Sequence, residues 1–186
     1  MDQRGLIELA RQGDHEAFAA LVDAAIARLD AAARLILRDR ELARDAVQEA
    51  LISAWRDLPG LREPDRFDAW LYKLTAHACL DLVRRRRRRP MEVELTNLGS
   101  PGPADVSGDF ARGELVAEAL GHLDPAHRAV VALHYLLGMP LRDVAIALRI
   151  PHGTARSRLH YALATMRSGL AADADVSHPI PRGQFA

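Results

Sequence analysis

Apolar residues recur every three or four positions through most of this chain, and no stretch sustains a period of two. The pattern predicts an all-α fold. Phe18, Leu21, Val22, Ala25 and Leu29 keep a single stripe, so one helix is expected after Gly13-Asp14, with Asp14 as its N-cap. The next helix spans about Glu41 to Leu58. Val47, Ala50, Leu51, Ala54, Trp55 and Leu58 form its core stripe, and Asp45, Gln48, Glu49, Ile52 and Arg56 lie opposite. Pro59-Gly60 and Glu63-Pro64 mark a loop. A further helix begins near Asp65, buries Phe67, Trp70, Leu71, Leu74 and Ala78, and runs into Arg84–Arg89 until Pro90 stops it. Trp70 is assigned to the core by its place on that stripe, with a base-stacking wedge as the alternative.

From Pro90 to about Arg112 the composition turns to Pro, Gly, Ser, Asn and acidic residues, as a mobile linker requires. Helical patterning then resumes in four pieces, Glu114–Leu123, Pro125–Leu137, Leu141–Leu148 and Gly153–Leu170, and the last residues read as a disordered tail. Two small helical domains are therefore expected, 1–89 and 113–170, with linker 90–112 and tail 171–186.

The length of 186 residues and an apolar content of 49% suit folded domains of this size. A single cysteine excludes an internal disulfide or a zinc finger, and Cys79 is expected as a semi-buried core residue. No apolar run approaches a membrane span, and the polar, acidic start does not resemble a signal peptide, so a cytoplasmic protein is expected without membrane insertion. Twenty-five basic and 25 acidic residues give zero net charge, which by itself argues against a nucleic-acid coat. Counted by segment, however, residues 1–83 carry −4, 84–89 +6, 90–113 −3, 114–170 +2 and 171–186 −1. Neutrality is a cancellation between unlike blocks.

The most basic block is the run of six arginines. Like charges at this density repel one another, and a phosphate backbone is the natural counterion, although a helix C-terminus also tolerates cations. A second motif runs from Leu141 to Tyr161 in helix-turn-helix form. Val144, Ala145 and Leu148 face inward, a proline-flanked turn follows, and Ala155, Leu159, Ala162 and Met166 form the core stripe of the second helix. Ser157, His160 and Tyr161 lie opposite with Arg156 and Arg158 beside them, a face that suits major-groove readout.

The stretches Ala43–Leu51 (ARDAVQEAL) and Phe67–Ala76 (FDAWLYKLTA), then Asp81 and the arginines, resemble conserved domain 2 of bacterial sigma factors. Leu120–Val130 and Gly153–Leu159 resemble their domain 4, and the two-domain layout resembles the extracytoplasmic-function (ECF) group of the sigma-70 family. That resemblance implies promoter-specific transcription initiation with core RNA polymerase. It implies polymerase contacts at Asp45, Gln48, Glu49 and Ile52. It places Tyr72, Lys73, Ala76, His77 and Leu80 on an exposed face at the −10 element, with Arg84, Arg85, Arg86 and Arg87 on backbone phosphates. It places Thr154, Arg156, Ser157, Arg158, His160 and Tyr161 at the −35 element. Many ECF members are held inactive by an anti-sigma factor clamped between the domains, which makes such a factor a candidate partner, although no residue here marks it. His77 stands where the family commonly has Asn, and Tyr161 where it commonly has a basic residue, so no promoter sequence is carried over.

Other classes have less support. Eight histidines provide no i, i+4 ligand pair on a common face, so no metal is expected, and no motif implies a cofactor. There is no phosphate-binding glycine loop or nucleophile elbow, so no catalysis is expected. The alternative function is a self-standing helix-turn-helix regulator whose N-terminal domain senses or dimerises, and which binds a palindromic operator without polymerase.

Overall fold

The structure, a computed structural model, describes residues 2–88 and 118–176. The expected linker and the final ten residues lie outside these. Among the described residues all regular structure is helical: α1 (Gln3–Arg11), α2 (His15–Asp23), α3 (Ile26–Leu37), α4 (Arg40–Asp57), α5 (Phe67–Arg88), a helical turn at 118–121, α6 (Pro125–Val131), α7 (Leu141–Leu148) and α8 (His152–Val176).

Aspartates start four of these helices. Asp2, Asp14, Asp39 and Asp124 each accept hydrogen bonds from backbone N–H groups of the first turn, which otherwise lack partners. The stripe from Phe18 to Leu29 is divided between α2 and α3, where a single helix is expected. The Ala25 N–H turns back to Val22 O at 2.8 Å, a tighter closure than the α-helical one, yet Leu21, Ala25 and Leu29 all stay buried. Because the stripe survives the break, periodicity could not reveal it. The stretch after α6 also departs from a plain helix. Ala132–Leu136 forms a wider π turn closed by Leu137 N–H on Ala132 O at 3.0 Å, and Gly138 then reverses the chain at φ +68°. At the C-terminus, α8 continues to Val176, past the expected start of the tail at residue 171. Ala171, Ala172 and Ala174 favour helix strongly enough to carry it on.

The core of the first domain is built on alanine. Ala43, Ala46, Ala50 and Ala54 line the inner side of α4, allowing close approach to α5, and Phe67, Leu71 and Cys79 fill the space from the other side. Cys79 is fully buried, and burial pushes its thiol up to about 12, so it is a protonated core residue.

The core does not end at the domain boundary. Ala129, Val130, Leu133, Met139, Val144 and Leu148 continue the apolar cluster that contains Leu29 and Ile36 of α3. At the centre of this junction lies Arg128, 7% exposed. Its Nε donates to the Ile36 carbonyl at 2.7 Å and its Nη1 to the Leu123 carbonyl. Ile36 sits in the last turn of α3, where helix carbonyls lack a partner of their own, and the guanidinium supplies one. Burial, with Arg38 nearby, pushes the Arg128 guanidinium down to about 10, still charged at neutral pH.

Candidate nucleic-acid interface

The outer face of α4 presents Asp45 and Gln48 to solvent, with Glu49 partly covered and Ile52 60% exposed beside them. The opposite side of the helix is packed through Ala43, Ala46, Ala50 and Ala54, so the polar side chains and Ile52 share its solvent face.

On α5 the structure corrects the expectation of an exposed face. Tyr72 is 4% exposed and Ala76 is 1% exposed. Tyr72 turns toward α3, where the Arg28 guanidinium lies 5.9 Å from its ring centre, and burial raises its phenol above the ordinary value. Lys73, His77 and Leu80 are partly covered. His77 shares a backbone contact with Ala147 of α7, and burial pushes its imidazole below the ordinary value. The helix stripe alone could not foresee the cover on His77, because that element comes from the other domain. Trp70, assigned to the core, is instead half-buried. It leans on Phe67 with ring centres 5.9 Å apart and lines an open groove with Leu61, Lys73, Met139, Ile146 and Ala147.

The C-terminal half of α5 carries the arginines outward. Arg84, Arg85, Arg86, Arg87 and Arg88 are all exposed. Arg84 lies 2.9 Å from Asp81 on its own helix, Arg85 2.7 Å from Glu49, and Arg86 3.8 Å from Asp39. Sequence reasoning did not find these pairings across α4 and α5, since they depend on how the two helices align. It also missed Arg128 and the long 3.9 Å approach of Arg66 to Asp143 between the domains. The available signal for Arg128 was a charge directly abutting the apolar run Ala129–Leu133.

The second motif folds as a helix-turn-helix. α7 ends with Arg149 in the left-handed region at φ 54°, with Ile150 N–H on Ala145 O at 3.0 Å, and α8 starts after Pro151. Ala145, Ala155 and Ala162 are buried, which lets the two helices pack closely. Arg156, Ser157, His160 and Tyr161 are exposed, whereas Thr154 and Arg158 are half-covered. The Ser157 hydroxyl donates to Thr154 O at 3.1 Å, and the Tyr161 ring rests 4.8 Å from that of His127. His127 Nδ1 is in turn 2.8 Å from Asp124 Oδ2. Burial pushes the Asp124 carboxyl up, but the backbone and ring of His127 with the Ala126 N–H outweigh it and hold the group below its usual range.

An arginine-bearing helix and a helix-turn-helix on one chain define a two-domain helical protein with two basic surfaces. Residues 21–89 match the Sigma-70 region 2 family and residues 113–166 match Sigma-70, region 4. A probable RNA polymerase sigma factor, RfaY of Xanthomonas campestris, is 30% identical over 87% of this chain, which spans 42% of that protein's length. The ECF RNA polymerase sigma factor SigL of Mycobacterium tuberculosis is 34% identical over 69% of this chain and 75% of its own. The RNA polymerase sigma factor CnrH of Cupriavidus metallidurans is 32% identical over 92% of this chain and 96% of its own. The solved structure of CnrH in complex with the cytosolic domain of CnrY superposes with a TM-score of 0.65 at 28% identity, covering 92% of this chain and 99% of that one. The chain belongs to the ECF RNA polymerase sigma factors of the sigma-70 family, proteins of transcription initiation that are not enzymes. Among the described residues, no helix is long and apolar enough to cross a membrane.

Proposed function

We propose that this chain binds core RNA polymerase through α4, directs it to promoters, and acts in the cytoplasm. Asp45, Gln48, Glu49 and Ile52 form the polymerase surface. The observation that carries this reading is the outer face of α4, where Asp45, Gln48 and Ile52 are exposed together opposite the packed alanine stripe. Lys73, His77 and Leu80 meet the −10 region, with the arginines of α5 on backbone phosphates, and Tyr72 and Ala76 support them from within the core. Thr154, Arg156, Ser157, Arg158, His160 and Tyr161 address the −35 region in the major groove, where arginine bonds guanine in bidentate fashion. The modest charge of residues 114–170 gives weak DNA affinity alone, so polymerase supplies the remainder. Because α7 lies against His77, promoter engagement requires the second domain to leave α5. The neighbour CnrH was solved with CnrY, and this chain likewise takes an anti-sigma partner that favours the closed arrangement.

Run-off transcription with purified core polymerase and a candidate promoter tests the proposal. Replacing Asp45 and Glu49 together by Arg abolishes co-purification with core while circular dichroism stays that of the folded chain. Core affinity retained by that double variant would refute the docking surface. A product made equally well without the chain would refute the function. The self-standing regulator is set aside because both halves of the chain match sigma-70 regions.

A further inference from the structure

The arginine run and the acidic face of α4 are separate surfaces by sequence, yet the packing of α4 on α5 joins them. Arg85 Nη2 donates to both carboxylate oxygens of Glu49 at 2.7 Å. Arg86 Nη1 lies 3.8 Å from Asp39 Oδ2, while the other oxygen of Asp39 accepts the Leu42 N–H at 3.0 Å and so is fixed in place as the cap of α4. The N-cap and the middle of α4 thereby set two carboxylates against the second and third arginines of the run. Glu49 also belongs to the stripe that holds Asp45, Gln48 and the exposed Ile52. One carboxylate stands between the surface for the protein partner and the surface for DNA.

We infer that Glu49 masks Arg85 from nucleic acid in the polymerase-free chain, and that polymerase, by engaging Glu49, releases Arg85 to a DNA phosphate. The inference rests on the proposed reading of the two surfaces. Its chemistry is exchange of one oxyanion for another on a single guanidinium. The Glu49 carboxylate occupies Nη2, one of the three donor nitrogens, and its charge repels a phosphate from the whole guanidinium. With side-chain exposures of 56% for Arg85 and 45% for Glu49, the pair is open to water and weak enough for a partner to break. Before release, Arg85 does not count among the phosphate contacts. After release it does, so polymerase binding and DNA binding favour each other.

Binding of the full-length polymerase-free chain to a fluorescently labelled single-stranded oligonucleotide, followed by anisotropy across a salt series, tests this. Glu49→Gln keeps the shape and removes the charge. It should tighten binding about 2–5-fold at low salt, the scale of an exposed ion pair. It should also steepen the slope of log K against log salt by about 0.7, as one added contact on a single strand does. Adding Arg85→Ala to Glu49→Gln should cancel both gains. An unchanged slope in Glu49→Gln would overturn the inference. So would a gain that survives Arg85→Ala, because the effect would then be diffuse charge and not the pair. A separate arm distinguishes failure of the underlying reading. If Arg84→Ala with Arg87→Ala leaves the salt slope of the polymerase complex on promoter DNA unchanged, the run does not meet DNA, and both readings fall.

Discussion

Replacing Arg128 by Met tests whether the two domains share one cooperative core. The guanidinium is 7% exposed and bridges the Ile36 carbonyl of α3, at 2.7 Å, to the Leu123 carbonyl ahead of α6. Hydrogen bonds from a charged donor contribute about 1.5–3 kcal/mol each. Against them stands the cost of burying the charge, visible in a guanidinium pushed down to about 10. Met keeps much of the volume and removes that cost, but leaves two carbonyls at the junction without a donor. The expected net loss is about 2–4 kcal/mol. Arg128→Lys should recover little, because one ammonium does not reproduce a planar fork that reaches two acceptors. The measurement is urea unfolding followed by far-ultraviolet circular dichroism, which reports all helices, and by tryptophan fluorescence. Trp70 borders the second domain, so it is replaced by Phe in both the wild-type and the Arg128→Met chain, and the fluorescence of Trp55, packed against His15 and Phe18, then follows the first domain. The two transitions should coincide in the wild-type chain and separate in Arg128→Met, with circular dichroism falling first. A change under about 0.5 kcal/mol with coincident transitions would mean that Arg128 does not couple the two domains.

Other positions offer independent checks. Arg149 holds a left-handed conformation that costs a side chain about 1 kcal/mol, so Arg149→Gly should raise the unfolding midpoint of the second domain despite the added flexibility of the unfolded chain. Asp124→Ala removes a cap with two backbone partners, and should cost about 1 kcal/mol by denaturant titration. His77 is pushed down by burial, then pulled up by the Ala147 carbonyl, pushed down by Arg149 and Lys73, and pulled up by Asp81. Its folded-state value lies below that of the unfolded chain, so its contribution to stability is present above the ordinary imidazole value and is lost as pH falls through the lower folded one. Amide exchange in α7, corrected for the intrinsic rate, should quicken as the pH falls below the ordinary imidazole value, and His77→Asn should flatten that dependence. Arg156→Ala should weaken promoter binding by the polymerase complex with a smaller salt slope, measured by filter retention.

The pattern of apolar positions was sufficient for the helical class, for the bounds of α7, and for the faces of α4 and α8. Each of those depends on spacing within one helix, and each helix meets its neighbours along a single stripe. The Asp14 cap was legible for the same reason, since an N-cap bonds only the turn that follows it. What lay beyond the sequence came from contacts between residues far apart in the chain. Tyr72 and Ala76 are buried because several elements close on α5, and Trp70 is half-open because it sits at the edge of a groove rather than beneath it. The division between α2 and α3 leaves the stripe intact, so only the backbone hydrogen bonds disclose it. The arginines illustrate the distinction most directly. Sequence alone determined that a run of positive charges, Arg84–Arg88 among the described residues, ends a helix. Only the alignment of α4 with α5 decided that Glu49 faces Arg85, and only the meeting of two domains decided that Arg128 has a buried carbonyl to hold. An isolated helix sets which side chains share a face, but a charge acquires its partner from the surface packed against it.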